Sequence, residues 1–292
     1  MKKCFLIIVS LINIQAWGQE KLFWFIENNK IGFKNEKGVT KIKPQYVMAE
    51  PFSEGLACAR TGENQFTANY GFINEKGDWI IKPQYNNHGS LSEGLANVAK
   101  DFKWGFIDKK GKWVIEPQYQ LCYGFKNGYA QVSKGGKWGI IDKKGNMVIV
   151  ADNYSVTNVS NGVLARKKDL KTPWELIDIK GKRLSDKTWG NVMEFGDGLA
   201  PARDENDKYG FINAKGEWVI KPQYTEADPF FEGLAAVSID YKWGFIDKTG
   251  KLVIPAEYSS LGRFKDGIAM IEKTDEYLYI NKQGKVILHF PK

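Results

Sequence analysis

The amino-acid sequence predicts an all-β fold assembled from eight copies of one short unit, on three observations. A segment of the type Trp-Gly-Phe-Ile-Asp recurs along the chain at spacings of 39, 34, 34, 36, 35, 34 and 34 residues. Most of the 30 glycines fall at fixed places within that period, which marks turns of a repeated unit rather than a linker. Period-two apolar alternation runs through each unit, while helical patterning is nearly absent beyond the first residues. With 43% hydrophobic residues the chain can bury a large core, so disorder is excluded.

The elements follow in chain order. Lys2 and Lys3 precede an apolar run from Phe5 to Ile14, and Ala16-Trp17-Gly18 offers small residues for cleavage. This pattern predicts a signal peptide over 1–18, because the run is about half the roughly 20 residues a membrane span needs. The expected mature chain starts at Gln19 as a single domain over 19–292, exported to the periplasm, the cell surface or the medium. Its net charge falls from +8 to +6, since Lys2 and Lys3 leave and no acid does. Cys4 precedes the apolar run and cannot become a lipid-bearing N-terminus. Cys58 and Cys122 remain, and whether they pair is open.

Each unit carries three strand signals. The first is Trp104-Gly105-Phe106-Ile107-Asp108 and its equivalents. The turn Asp108-Lys109-Lys110-Gly111 follows, with Asp able to bond its own backbone and Gly able to adopt a left-handed conformation. The second strand, Trp113-Val114-Ile115, ends in Pro117-Gln118-Tyr119, and proline means that it terminates there or lies at an edge. A connector of about ten residues leads to Phe-x-x-Gly-Leu-Ala and the third strand, such as Leu234-Ala235-Ala236-Val237. Grouped third-first-second, the chain holds eight whole antiparallel meanders. Trp104 and Phe106 point one way and Gly105 and Ile107 the other, so both faces are apolar or small and must be covered by neighbours. The reading favours meanders stacked as an open superhelical array. The alternative is a closed β-propeller, set second because 34 residues is short for a four-stranded blade and no strand is offset across a join.

These residues resemble a known family. Lys103 to Tyr119 and Lys242 to Tyr258, each followed by Phe-x-x-Gly-Leu-Ala or a close variant, are similar to the WG (KWG) repeat of bacterial proteins. The resemblance covers residues 21–288. It implies repeat architecture and an interaction role, and it transfers no catalytic residue. The middle departs from the pattern: Glu175 replaces the glycine, Val150-Ala151-Asp152 replaces the proline approach, and Arg183 to Trp189 lacks it. The first repeat carries extra residues around Arg60 to Asn69, expected to extend one loop.

No catalytic constellation, cofactor motif or metal set stands out. His88 and His289 are far apart in unlike contexts, which argues against a two-histidine zinc site. Glu54, Glu93 and Glu232 precede Gly-Leu-Ala, but the same place holds Asn127, Asn161, Asp197 and Asp266, so the position serves the unit rather than a hydrolytic pair. Asp108, Asp142 and Asp247 are turn formers. Trp79, Trp113 and Trp218 recur at one strand position, as packing residues or as platforms for sugars.

The expected function is therefore a non-catalytic binding or scaffold protein, with another protein or an anionic envelope polysaccharide as partner. The modest charge and the export signal argue against nucleic acid. The candidate ligand-binding residues are Lys76, Lys109, Lys110, Lys143, Lys144, Lys215 and Lys248. They occupy equivalent hairpin turns, and stacking would align them into a basic stripe. Two alternatives stay open: a glycan-acting enzyme with its site in 150–195, and a purely structural envelope component.

Overall fold

The computed structural model describes residues 21–62, 69–272 and 276–291, and the expected leader 1–18 lies outside them. Among the described residues there are only strands and turns, no helix. The chain forms two compact units: one reaches Gly136 and adds Ile141–Asn146, and the other holds Lys137–Ile140 and Met147 onward.

The strands group into eight small antiparallel sheets, or blades. Blade 1 is β1 (Leu22–Glu27), β2 (Lys30–Asn35) and β3 (Thr40–Tyr46). Blade 2 is β4 (Met48–Ala49), β5 (Leu56–Arg60), β6 (Tyr70–Asn74) and β7 (Trp79–Tyr85). Blade 3 is β8 (Asn87–Ser92), β9 (Leu95–Lys100), β10 (Lys103–Asp108) and β11 (Trp113–Tyr119). Blade 4 is β12 (Leu121–Cys122), β13 (Tyr129–Lys134), β14 (Lys137–Asp142) and β15 (Met147–Asn153). Blade 5 is β16 (Ser155–Val156), β17 (Val163–Lys167) and β18 (Glu175–Asp178). Blade 6 is β19 (Asn191–Val192), β20 (Ala200–Arg203), β21 (Tyr209–Ile212) and β22 (Trp218–Tyr224). Blade 7 is β23 (Glu226–Ala227), β24 (Leu234–Ile239), β25 (Lys242–Asp247) and β26 (Leu252–Tyr258). Blade 8 is β27 (Ser260–Leu261), β28 (Ile268–Glu272), β29 (Glu276–Asn281) and β30 (Val286–Pro291). Every sheet keeps its strands in sequence order.

The expected three-stranded meander forms in every blade except blade 5, which lacks its last strand, and every blade except blade 1 gains a further strand in front of it. The connector after Pro-Gln-Tyr supplies a short leading strand that pairs with the next blade: Met48 and Ala49 face Arg60 and Ala59, and Glu226 and Ala227 face Ser238 and Val237. A unit of 34 residues thus holds four strands because one of them is usually two residues long. This removes the argument that set the propeller second. The fold is that of a β-propeller, and the open superhelical array is corrected.

Blade faces are buried against neighbours. Phe106 and Ile115 of blade 3 pack with Phe125, Ala130, Val132 and Ile141 of blade 4, while Ile107 turns back onto Phe72, Ile81 and Tyr85 of blade 2. The same interleaving joins blades 1 and 2, 5 and 6, 6 and 7, and 7 and 8. Phe106 and Ile107 are fully buried, so alternate residues of one strand serve two different blades.

The glycine after Trp or Tyr has a specific cause. A Cβ built on Gly105 would lie 2.5 Å from the Ile115 carbonyl oxygen and 2.9 Å from the Pro117 nitrogen, and Gly71, Gly210 and Gly244 meet the same backbone. The outer strand folds over the glycine, and the register shifts on both sides of Phe106 as it does so. Departures obey the same rule. Where Glu175 replaces glycine, blade 5 has no outer strand, only bridges from Trp174 to Trp189 and Ile177 to Arg183. Where Leu278 replaces it, β29 and β30 pair without the shift at that site, and only the one between Tyr279 and Ile280 remains.

Candidate binding surface

The hairpin turns form as their sequence demands. The Asp108 carboxylate accepts from the N–H groups of Lys110 and Lys112, each at 2.9 Å, and the Gly111 N–H donates to the Asp108 carbonyl. Asp142, Asp178, Asn213 and Asp247 repeat the pattern.

The lysines at the two places differ. Lys109, at the second place, donates to the Glu54 carbonyl at 3.0 Å and lies 3.2 Å from the Glu54 carboxylate of the preceding blade. Lys143 does the same to Glu93, and Lys282 to Glu232. Lys248 donates to the Asp197 carbonyl. The acids have left-handed backbone, with φ of 52° at Glu54 and 54° at Glu93, and their carboxylates accept from the next blade's turn glycine, Gly94 and Gly128 respectively. Each acid–Gly–Lys set therefore ties one blade to the next. Identities covary along the chain: Asn127 and Asn161, which carry no charge, correspond to Ile179 and Ala214 at the lysine place. Burial pushes the Glu93 carboxyl upward, but its bonds to Lys143, Gly128 and Asn127 outweigh that and hold it below its ordinary value; Glu232 behaves alike.

Lys76, Lys110, Lys144 and Lys215, at the third place, are exposed and form no ion pair among the described residues. The structure thus divides the seven candidate lysines into Lys109, Lys143 and Lys248, held by the previous blade, and these four. Lys76, Lys110 and Lys144 stand on three successive blades of the first unit, with exposed Lys112 beside Lys110. Repeated identity made both places look alike in the sequence; their separate roles depend on a carboxylate some fifty residues earlier.

Trp79 and Trp113 are half-buried and pack edge-on against tyrosines of the preceding blade, at 5.8 Å from Tyr46 and 5.7 Å from Tyr85. Trp218 lies against the cluster between blades 5 and 6. All three serve packing. In the irregular middle, Glu175 is held by Arg166 at 2.6 Å and Arg183 at 3.6 Å, and Asp152 by Lys168 at 2.8 Å. Glu194 accepts from Asn158, and Asp178 accepts from turn N–H groups. Those acids are engaged by cations or donors rather than set facing one another. Cys58 and Cys122 are both free and buried in different clusters. Among the described residues no group of three His, Cys, Asp or Glu could hold a metal ion, and no helix is long and apolar enough to cross a membrane.

Comparison with known proteins agrees with the blades. The chain is similar in fold to a eukaryotic initiation factor structure at TM-score 0.64, with 12% identity over 94% of this chain and 85% of that one. It is also similar to the computationally designed Ika8 protein at TM-score 0.54, with 13% identity over 93% of each chain. No curated protein matches. The family model described as "WG containing repeat" matches residues 31–64, 70–103, 104–138, 138–166, 209–243 and 243–277. On those six matches, which span most of the blades, the chain belongs to the WG-repeat family.

Proposed function

We propose that this propeller is an exported, non-catalytic scaffold that binds an anionic partner along the turn face of its blades. A propeller of WG repeats fits a binding scaffold, and the observation that supports the charge of the partner is the set of third-place lysines. Lys109 and Lys143 already meet their counterions, while Lys110 and Lys144 beside them are exposed and form no ion pair among the described residues. Packed sheets lie about 10 Å apart, so lysines on successive blades stand about one Debye length apart at 0.1 M salt and act as one field. A polymer of repeating negative charge, such as an anionic envelope polysaccharide, or a protein with an acidic strip matches that spacing. The lysine pair and apolar run of residues 2–14, with Ala16-Trp17-Gly18 after them, support export to the envelope or beyond.

The test is a glycan array and an envelope pull-down with the mature chain at two salt concentrations. The combined change K76E, K110E and K144E is expected to abolish binding, and raising salt from 0.1 to 1 M to weaken the parent's binding. Capture that survives both would remove the basic face from the account.

A further inference from the structure

A second polar cluster sits at the other end of the blades, away from the lysine turns. Arg60 closes β5, whose opposite end begins at the Glu54-Gly55 turn. Its side chain is buried, only 8% of the residue being exposed, and Nε and Nη1 are buried without a hydrogen-bond partner. The guanidinium carbon lies 5.5 Å from the Tyr70 ring centroid. On the next blade, the His88 ring lies 4.4 Å from the same tyrosine ring, and its Nδ1 is also buried without a partner. Three orphaned nitrogens on two side chains thus gather around one aromatic ring.

The repeat does not require either residue. The place of Arg60 is held by Ala99, Ser133 and Ser238 in other blades, and that of His88 by Ala49, Cys122, Val156, Val192 and Ala227. His88 also stands on altered backbone. β8 is longer than its counterparts and shifts register between His88 and Leu91, and a Cβ on Gly89 would collide with the Asn97 carboxamide. A buried cation lacking a counter-charge is costly, and so is each unmatched donor. In blade 6, Arg203, at the equivalent place, also leaves its Nε buried without a partner, but its Nη1 reaches the Asp207 carboxylate at 3.3 Å. Arg60 has no acid partner among the described residues.

We infer that Arg60, Tyr70 and His88 form a binding site for a carboxylate group carried by a ligand. The planar guanidinium fork meets a carboxylate in two parallel hydrogen bonds when Nη2 pairs with either orphaned nitrogen, the imidazole offers a further donor, and the tyrosine ring walls one side. Charge count favours a monoanion. Burial, and then the Arg60 charge, lower the His88 pKa to about 4, so the imidazole is neutral near pH 7 and the pair carries one positive charge. One carboxylate balances that; a phosphate dianion exceeds it. This site is independent of the lysine face, and either can fail alone.

The test uses the full mature chain, titrated near pH 7 at constant ionic strength with acetate and with D-glucuronate, and in parallel with sulfate and inorganic phosphate. The readout is the His88 ring signal by NMR, which has one other histidine to be told from. The carboxylates are expected to shift that signal saturably, with the response lost in Arg60→Met, weakened at least tenfold in Arg60→Lys, and kept in Arg203→Met. No saturable response to either carboxylate, or an unchanged response in Arg60→Met, would overturn the site. A response to sulfate or phosphate alone would overturn the carboxylate assignment. If Arg60→Met does not fold, Arg60→Lys decides: full affinity there would refute the fork.

Discussion

Changing Gly105 to alanine puts the explanation of the repeat's signature glycine at risk. The new methyl carbon would stand 2.5 Å from the Ile115 oxygen, 2.9 Å from the Glu116 carbonyl carbon and 2.9 Å from the Pro117 nitrogen. Ordinary carbon contacts are about 3.5–4.0 Å, so the overlap is roughly 1 Å. All three atoms are backbone, and Pro117 has a fixed φ, so no flexible side chain can swing aside. Overpacking of this kind costs about 1–3 kcal/mol or more, and the upper end applies here. For a chain of this size that corresponds to a fall in Tm of about 6–12 °C. The internal control is Gly128→Ala, where φ is +83° but nothing lies within 4 Å of the added carbon. Only the left-handed conformation is penalised there, by about 1–2 kcal/mol. Thermal melts of both variants, followed by circular dichroism, give the comparison. A G105A protein as stable as the parent, or one that loses less than G128A, would refute the close-approach argument.

Three further outcomes follow from the same geometry. Glu93, held below its ordinary 4.5 in the fold, adds stability above that pH that fades as pH falls through the depressed value; E93Q flattens this acid limb, and a double-mutant cycle with K143Q gives a coupling of about 1 kcal/mol or less, because the pair is part-exposed. Burial pushes the Cys122 thiol up from 9.0 to about 12 and the Cys58 thiol higher still. Both should therefore resist thiol reagents until the chain unfolds, and their contribution, complete below pH 9, is lost as pH rises through the folded values. Trp113→Ala removes the edge-on contact with Tyr85 and opens the seam between blades 2 and 3, lowering stability by about 3 kcal/mol in a denaturant titration.

The three longer strands were legible because each carries its own alternation and each ends in a named turn residue. The leading strand was not: Met48–Ala49 and Leu121–Cys122 are two residues long, and two residues have no period. Without it a 34-residue unit holds three strands, which favours an open array over a blade of four. The acids before Gly-Leu-Ala serve the unit by binding a lysine and a glycine N–H of the next blade. That link spans about fifty residues in the sequence, beyond any local pattern. The sequence signal for His88 is its place, where other connectors carry small apolar residues. Arg60 gave no warning, since an arginine at a strand end is ordinarily solvated.

The claim beneath all of this is that a blade has no core of its own and hides its apolar faces only against its neighbours. A peptide spanning residues 86–119, the whole of blade 3, tests it most directly. Alone in buffer it should give a coil spectrum by circular dichroism and exchange its amide hydrogens without protection, although the same segment in the full chain is protected at Gly105 to Ile107. A cooperative melt from the isolated peptide, with protected amides in β9 and β10, would contradict the account.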